Sequence, residues 1–413
     1  MQRQARWFAV ATTISSVLLG STAAHAVEIQ AGDDWKIKAT GFAAGFLQFN
    51  LCDHSAATVD GGFACNTGPG GNNRSAISNG LGVGSLGLTA STQKSDWDLG
   101  VTSEVWSGIN STSKGGKIGF GETSPSMRQS FVFFGRKDLG TFKVGRMFGV
   151  FGSEGIASDM TLAGVGSGAA GVSGAGNSTL GRIGVGYIFA DFFPQIQYNS
   201  PDLHGFQVVA SIIQAFDAAP MAGVNPVSLI EHPLPGLMGK ATFDWKGDFA
   251  GRAWVGGWGQ SSTSTNGQFT SEQSVFSSAF DFGTRLEFAG ASLTGYGFLG
   301  DGVGTTAPMR DGVALVNGLP AKRKSVGYYG QLSYTIKDLK FGTSYGATYL
   351  DLASGEQAAG TLYRSNSSVI GGVYYKLGGV VTIAGEWTHT MSKNQLDEKI
   401  RDNSFALGTS AGF

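Results

Sequence analysis

The sequence predicts an all-β protein, a single transmembrane antiparallel barrel of about sixteen strands with short turns at one end and long loops at the other. Three observations carry this. Segments with two-residue alternation recur along the chain, and the connections between them alternate between short and long. Beyond residue 26, no run of 18 apolar residues offers a membrane-spanning helix.

Residues 1–26 have the three parts of a secretory signal: Arg3 and Arg6, an apolar-leaning stretch from Trp7 to Leu19, and a small-x-small site at Ala24-His25-Ala26. A membrane anchor would be longer and would lack Thr12, Thr13, Ser15 and Ser16. Cleavage after Ala26 is expected, leaving a barrel domain over 27–413. Composition suits a barrel. Gly, at 66 of 413 residues, is more than twice its usual share, and only 14% of residues are charged. With 41% hydrophobic residues and 28 Phe the chain is not disordered, and a mean hydropathy near zero fits strands with one oily and one wet face. Without Arg3 and Arg6 there remain 27 basic and 30 acidic residues, which offers nucleic acid no polycationic surface.

Strands are expected at 36–49, 80–92, 97–107, 127–136, 141–147, 183–198, 206–214, 239–245, 249–259, 274–288, 292–299, 325–336, 339–349, 367–376, 380–390 and 404–413. In 274–288, Phe276, Phe280, Phe282, Leu286 and Phe288 share one face, while Ser277, Asp281, Arg285 and Glu287 share the other. In 339–349, Phe341, Tyr345 and Tyr349 oppose Lys340, Gly342, Ser344 and Gly346. In 380–390, Val381, Ile383 and Trp387 oppose Thr382, Glu386 and Thr388.

Short connections such as Lys137-Asp138-Leu139-Gly140, Ala289-Gly290-Ala291 and Lys337-Asp338 hold turn-forming residues. Between them lie long loops at 50–79, 108–126, 148–182, 215–238, 260–273, 300–324, 350–366 and 391–403. That rhythm is the signature of an outer-membrane barrel, with short turns periplasmic and long loops outside. Cys52 and Cys65 share one exported loop, so a disulfide between them is expected. The last ten residues alternate and stop on Phe413, which looks like the terminal signal that barrel-assembly machinery reads.

Met127 to Met147, MRQSFVFFGRKDLGTFKVGRM, and Gln197 to Phe206, QYNSPDLHGF, resemble the Gram-negative general diffusion porins. The first matches that family's fourth and fifth strands, the second its Tyr-x-Ser-Pro-x-x-x-Gly turn. The resemblance implies a sixteen-stranded homotrimer in outer-membrane lipid and lipopolysaccharide, passing small hydrophilic solutes and ions. It also implies that the long loop after the Gly-Arg strand, here 148–182, folds into the lumen and carries acids that face wall arginines across a constriction. In such a narrow space opposed fixed charges select solutes by charge.

Carried over, Arg146 is expected as a pore-wall charge, although it shares parity with Phe142 and Val144, which would send it outward. Arg128, by its parity with Ser130, is expected in the lumen, with Arg182 as a further wall charge. Glu154 and Asp159 are the loop's only carboxylates and hence its constriction acids. The loop departs from the family in lacking a Pro-Glu-Phe-Gly-Gly segment and in running apolar from Ala163 to Gly176. A channel selective for aromatic acids, sugars or anions is the alternative reading.

Other chemistry finds little support. The GxGxxG match at Gly82 to Gly87 lies within a strand with no helix following, and the Gly-rich stretch lacks the Lys-Ser/Thr ending of a phosphate loop, so no cofactor is expected. His54, His204, His232 and His389 form no recognisable arrangement with a serine, which argues against a hydrolase. No second ligand pair near the cysteines suggests a metal.

Overall fold

The computed structural model describes residues 26–32, 34–65, 72–109, 125–168, 178–218, 222–224, 227, 229, 231–264, 273–357 and 360–413. The expected signal segment, apart from Ala26, lies outside them. In chain order the strands are β1 (Val27–Ala31), β2 (Trp35–Cys52), β3 (Arg74–Ser78), β4 (Gly84–Lys94), β5 (Trp97–Ser107), β6 (Ser126–Arg136) and β7 (Gly140–Phe148). Next come β8 (Phe192–Asn199), β9 (Phe206–Ile213), β10 (Gly236–Trp245), β11 (Ala250–Ser264), β12 (Gln273–Phe288) and β13 (Ala291–Asp301). A small hairpin, β14 (Val313–Val316) and β15 (Leu319–Lys322), precedes β16 (Lys324–Ile336), β17 (Leu339–Asp351), β18 (Tyr363–Leu377), β19 (Val381–Asn394) and β20 (Lys399–Gly412).

Neighbouring strands pair antiparallel round the ring, and β20 pairs with both β19 and β2. The sheet therefore closes at sixteen strand positions and has no open edge, as lipid requires of a spanning sheet. Two positions are composite. Below β20, β1 pairs with residues 35–39 of β2, where the terminal strand has ended. On the other edge of β2, β3 and β4 share one position, broken at 79–83.

Alternation sets the faces. Phe276, Phe280 and Phe282 point out, at 58%, 61% and 52% exposure, while Ser277 and Asp281 are buried inside. Aromatics gather on the outer face towards the short turns, where Phe134 stacks on Phe142 at 5.6 Å and Phe249 on Phe288 at 4.3 Å. Such a girdle suits a membrane interface, where an aromatic ring meets both lipid and water. At the seam, Phe413 exchanges backbone hydrogen bonds with Gly41 at 2.9 and 3.0 Å, and its ring lies where a side chain at position 41 would stand. Gly41→Leu is thus expected to displace the terminal ring and destabilise closure by about 1–3 kcal/mol. Folding yield and the unfolding temperature in heat-modifiable electrophoresis measure this, and wild-type values for both would show that the ring does not seal the seam.

Three expectations are corrected. The strand placed at 183–198 begins only at Phe192. Residues 183–191 alternate because Val185, Tyr187 and Ile188 pack into a core inside the barrel, each at 0% exposure, and not because they face lipid. The inward loop therefore runs from 149 to 191. The loop placed at 391–403 shrinks to a tight turn at 395–398 between two long strands, held by the Asp397 amide on the Asn394 carbonyl. Finally, the strand expected from residue 80 is interrupted at 79–83, where the inward loop docks: Leu81 donates its amide to the Gly164 carbonyl at 2.9 Å.

The long-loop end of the lumen is packed with protein. The Cys52–Cys65 disulfide joins the top of β2 to the first loop, with Cα atoms 5.5 Å apart. Between the two cysteines that loop turns inward, where Asp402 accepts the Cys65 amide at 2.7 Å and Ser392 the Phe63 amide at 2.8 Å. Phe63, Phe151, Ile188, Val303 and Met309 belong to one apolar cluster spanning three loops. Such burial of apolar area holds the loops down by the ordinary hydrophobic effect.

Candidate functional site

The candidate site is built on the inward loop 149–191. It opens with a short helix, α1 (Ser153–Ala157), and continues into a 3-10 turn, Met160–Ala163. Asp159 caps that turn by accepting the Thr161 amide at 2.9 Å. The loop then crosses the lumen, and several polar groups of its described residues meet side chains on the wall. A crossing loop is cut off from bulk water, so each of its backbone groups needs such a partner.

At the helix, Glu154 accepts hydrogen bonds from Lys240 on β10 at 2.5 Å and from Arg252 on β11 at 3.2 Å, and Lys240 also reaches Ser153 at 2.9 Å. Arg252 is held in turn by both oxygens of Asp244, at 2.7 Å each. Burial alone pushes the Glu154 carboxyl up, but Lys240 and Arg252 outweigh it and bring it down to about 2. Asp281 on β12 accepts the Gly152 amide at 3.1 Å, and Tyr329 on β16 donates to the Gly155 carbonyl at 2.8 Å.

Gln331 on the same strand bridges the loop further along, accepting the Met160 amide at 2.8 Å and donating to the Ser158 carbonyl at 2.9 Å. Beyond the turn, Glu386 on β19 accepts the amides of Val165 at 2.9 Å and Gly166 at 2.7 Å, and the Tyr374 hydroxyl at 2.5 Å. A Cβ on Gly164 would stand 1.8 Å from that carboxylate, so only glycine lets the backbone come this close.

Arg182 closes the crossing. It is fully buried, donates from Nε to Ser344 on β17 at 2.7 Å, and reaches the Ser368 carbonyl on β18 at 3.3 Å. Burial lowers its guanidinium to about 10 against the pull of Asp159. Asp159 accepts the Arg182 amide at 3.2 Å and the Tyr187 hydroxyl at 2.8 Å, tying the two arms of the loop together. The loop is thus stitched to the wall from β10 round to β19, and to the break between β3 and β4.

The expected site residues fall into three places. Glu154, Asp159 and Arg182 do sit on the inward loop, yet at 6%, 3% and 0% exposure they are buried anchors and not free charges on a water-filled wall. Arg128 lies in a β-bulge: Glu104 pairs with Gln129 and Val105 with Met127, so Arg128 is the extra residue between them. Its guanidinium lies 5.3 Å from the Trp106 ring and 5.6 Å from the Phe192 ring. The parity argument from Ser130 fails, since Ser130 faces out. The bulge turns Arg128 away from that face.

Arg146 is not brought to the lumen. It pairs across the outward row with Ser130 and Pro194, and its Nε donates to the Met127 carbonyl at 3.1 Å near the upper rim. Parity prevails over resemblance here, and the cation that β7 turns inward is Lys143, 8% exposed. Reasoning from sequence missed Lys240 and Arg252 altogether. A signal existed: a charge within a spanning strand is costly on the lipid face, so each is expected inside.

A closed sixteen-stranded barrel, crossed by a loop bound to its own inner wall, defines a membrane channel of the outer-membrane type. Residues 10–395 match the family of Gram-negative porins, and the chain belongs to that family. It is an outer-membrane channel through which solutes diffuse. Among solved structures it is similar to the outer membrane channel DcaP of Acinetobacter baumannii, with a TM-score of 0.68, 15% identity, and coverage of 93% of this chain and 99% of that one. It is also similar to an anion-selective porin from Comamonas acidovorans, with a TM-score of 0.60, 13% identity and coverage of 92% and 100%. The trimer form of OmpT from Vibrio cholerae matches with a TM-score of 0.50, 13% identity and coverage of 92% and 100%. No curated protein sequence matches this chain.

Proposed function

We propose that this channel passes small hydrophilic solutes and ions passively, with the inward loop as its size and charge filter. The observation that carries the reading is the Glu154–Lys240–Arg252 cluster, an ion-paired clamp that holds the loop across the lumen. Arg182 and Asp159 serve the same clamp from the other arm, and Lys143 and Arg128 supply the wall charge. The chain acts as a homotrimer, as OmpT is described, after a signal segment ending at Ala26 has been removed. Phe413 presents the terminal strand to the assembly machinery, and the aromatic girdle meets lipid and lipopolysaccharide.

A second reading, a solute-selective channel, is favoured by the packed loops at the long-loop end, which leave a general sieve little room. Planar-bilayer recording under a salt gradient tests the assignment of wall charge. Neutralising Lys143 as Lys143→Gln is expected to move the reversal potential towards cations, whereas Arg146→Gln leaves it in place. The reverse pattern would return Arg146 to the pore wall, and a folded protein without conductance would sink the open-channel reading.

A further inference from the structure

Beneath the inward loop, on the short-turn side, lies a cavity of about 280 Å³. Its walls come from parts of the chain far apart in sequence: Phe42 on β2, Met160 on the loop, Lys340 on β17, Tyr374 and Lys376 on β18, and Thr382 on β19. Phe42, Met160 and the Tyr374 ring make an apolar wall. The Lys340 ammonium lies 5.7 Å from the Tyr374 ring centroid and so stands over the same space.

Two facts leave the lysines available. Among the described residues, neither Lys340 nor Lys376 forms an ion pair with a carboxylate. Glu386, the carboxylate joined to this wall through Tyr374, already accepts three hydrogen bonds, two of them from the loop backbone. Lys337 and Asp338, of opposite charge, line it as well. The cavity therefore pairs surplus positive charge with aromatic and thioether surface. Small-ligand sites have this form, an apolar lining with a few placed polar groups.

We propose that this cavity is a binding subsite for small organic anions, specifically aromatic carboxylates. The carboxylate meets Lys340 and Lys376, the ring lies against Phe42 and Met160, and Thr382 offers a hydroxyl beside them. The subsite lies directly under the loop, so a solute bound there occupies the short-turn side of the constriction. The proposal rests on the channel reading for its role in permeation, but binding itself does not depend on conductance.

The test uses the folded full-length barrel in detergent and calorimetric titration with benzoate, its neutral isostere benzamide, and acetate. Saturable benzoate binding is expected, with benzamide and acetate each at least ~10-fold weaker, since a charge-assisted contact and a buried ring each contribute on that order. Lys340→Gln with Lys376→Gln is expected to weaken benzoate at least ~10-fold while leaving heat-modifiable mobility unchanged. Phe42→Leu keeps the lysines and is expected to weaken benzoate but not acetate. Equal affinity for benzoate and benzamide, or an unchanged affinity in the double lysine variant, would overturn the proposal. Salt conductance recorded without benzoate keeps the two readings apart: a silent bilayer removes the channel, whereas loss of benzoate binding alone removes the subsite.

Discussion

Arg182→Ala is expected to raise single-channel conductance and broaden the range of solutes that pass, while the barrel stays folded. Among the described residues, the guanidinium joins the returning arm of the loop to both β17 and β18, through Ser344 and Ser368. Truncation removes those bonds and the guanidinium's longer-range pull on Asp159, which keeps the residue-182 backbone amide as a donor. Losing the hydrogen bonds of a buried charged group costs about 1.5–3 kcal/mol. Since each 1.4 kcal/mol is tenfold, such a loss shifts the balance between docked and released loop by at least ~10-fold. The Arg182 side chain is not itself part of the strand ladder, so heat-modifiable mobility is expected to persist. Arg182→Lys keeps the charge but not the planar fork, and an intermediate conductance is expected. Wild-type conductance in the alanine variant would mean that the loop is held without this anchor.

Glu154→Gln is expected to act at the other arm and in a different way. Removing the negative charge leaves Lys240 and Arg252 with Asp244 and Asp281 as the remaining nearby carboxylates, so positive charge is released into the lumen. The reversal potential then moves towards anions, and the loop loosens at its entry. Adding Lys240→Met is expected to reverse most of the selectivity shift, because a coupled pair is not additive.

The acid response follows from the same cluster. The Glu154 carboxyl, ordinarily near 4.5, is held at about 2 in the docked loop. Its contribution to docking is complete above pH ~4.5 and fades as pH falls through about 2. The difference amounts to about 3 kcal/mol at neutral pH. The Glu154 contribution is thus expected to stay constant from pH 7 to about 4, with the anion shift of the glutamine variant emerging in wild type only towards pH 2. A transition centred near pH 5 would place its origin in another group.

How far the sequence carried these conclusions differs from element to element. The two-residue period placed Phe280 outside and Asp281 inside, and Tyr345 outside and Ser344 inside, because consecutive side chains on a strand must point to opposite faces. The same rule pointed Arg146 outward, and it proved a better guide than the resemblance of the surrounding motif. The rule failed where an extended segment packs against protein on both sides. Residues 183–191 alternate as a lipid-facing strand does, yet Tyr187 lies beside Tyr329 and Asp159 within the lumen. It failed again at Arg128, since one extra residue opposite Glu104 reverses the faces and leaves no mark in composition.

The sequence by itself determined the class of protein, the number of strand positions, the oily and wet faces, the Cys52–Cys65 pair and the loop that turns inward. The first four follow from local periodicity, turn chemistry and neighbours along the chain, and the inward loop from the resemblance of the motif that precedes it. Only the tertiary structure decided which charges meet. Glu154 finds Lys240 and Arg252 some 86 and 98 residues away, and Arg182 finds Ser344 at 162. The lysine-lined cavity draws its walls from β2 to β19. Partners so distant are chosen by how the barrel closes and how the loop crosses it, and a closure contact between strands leaves no periodic trace in either one.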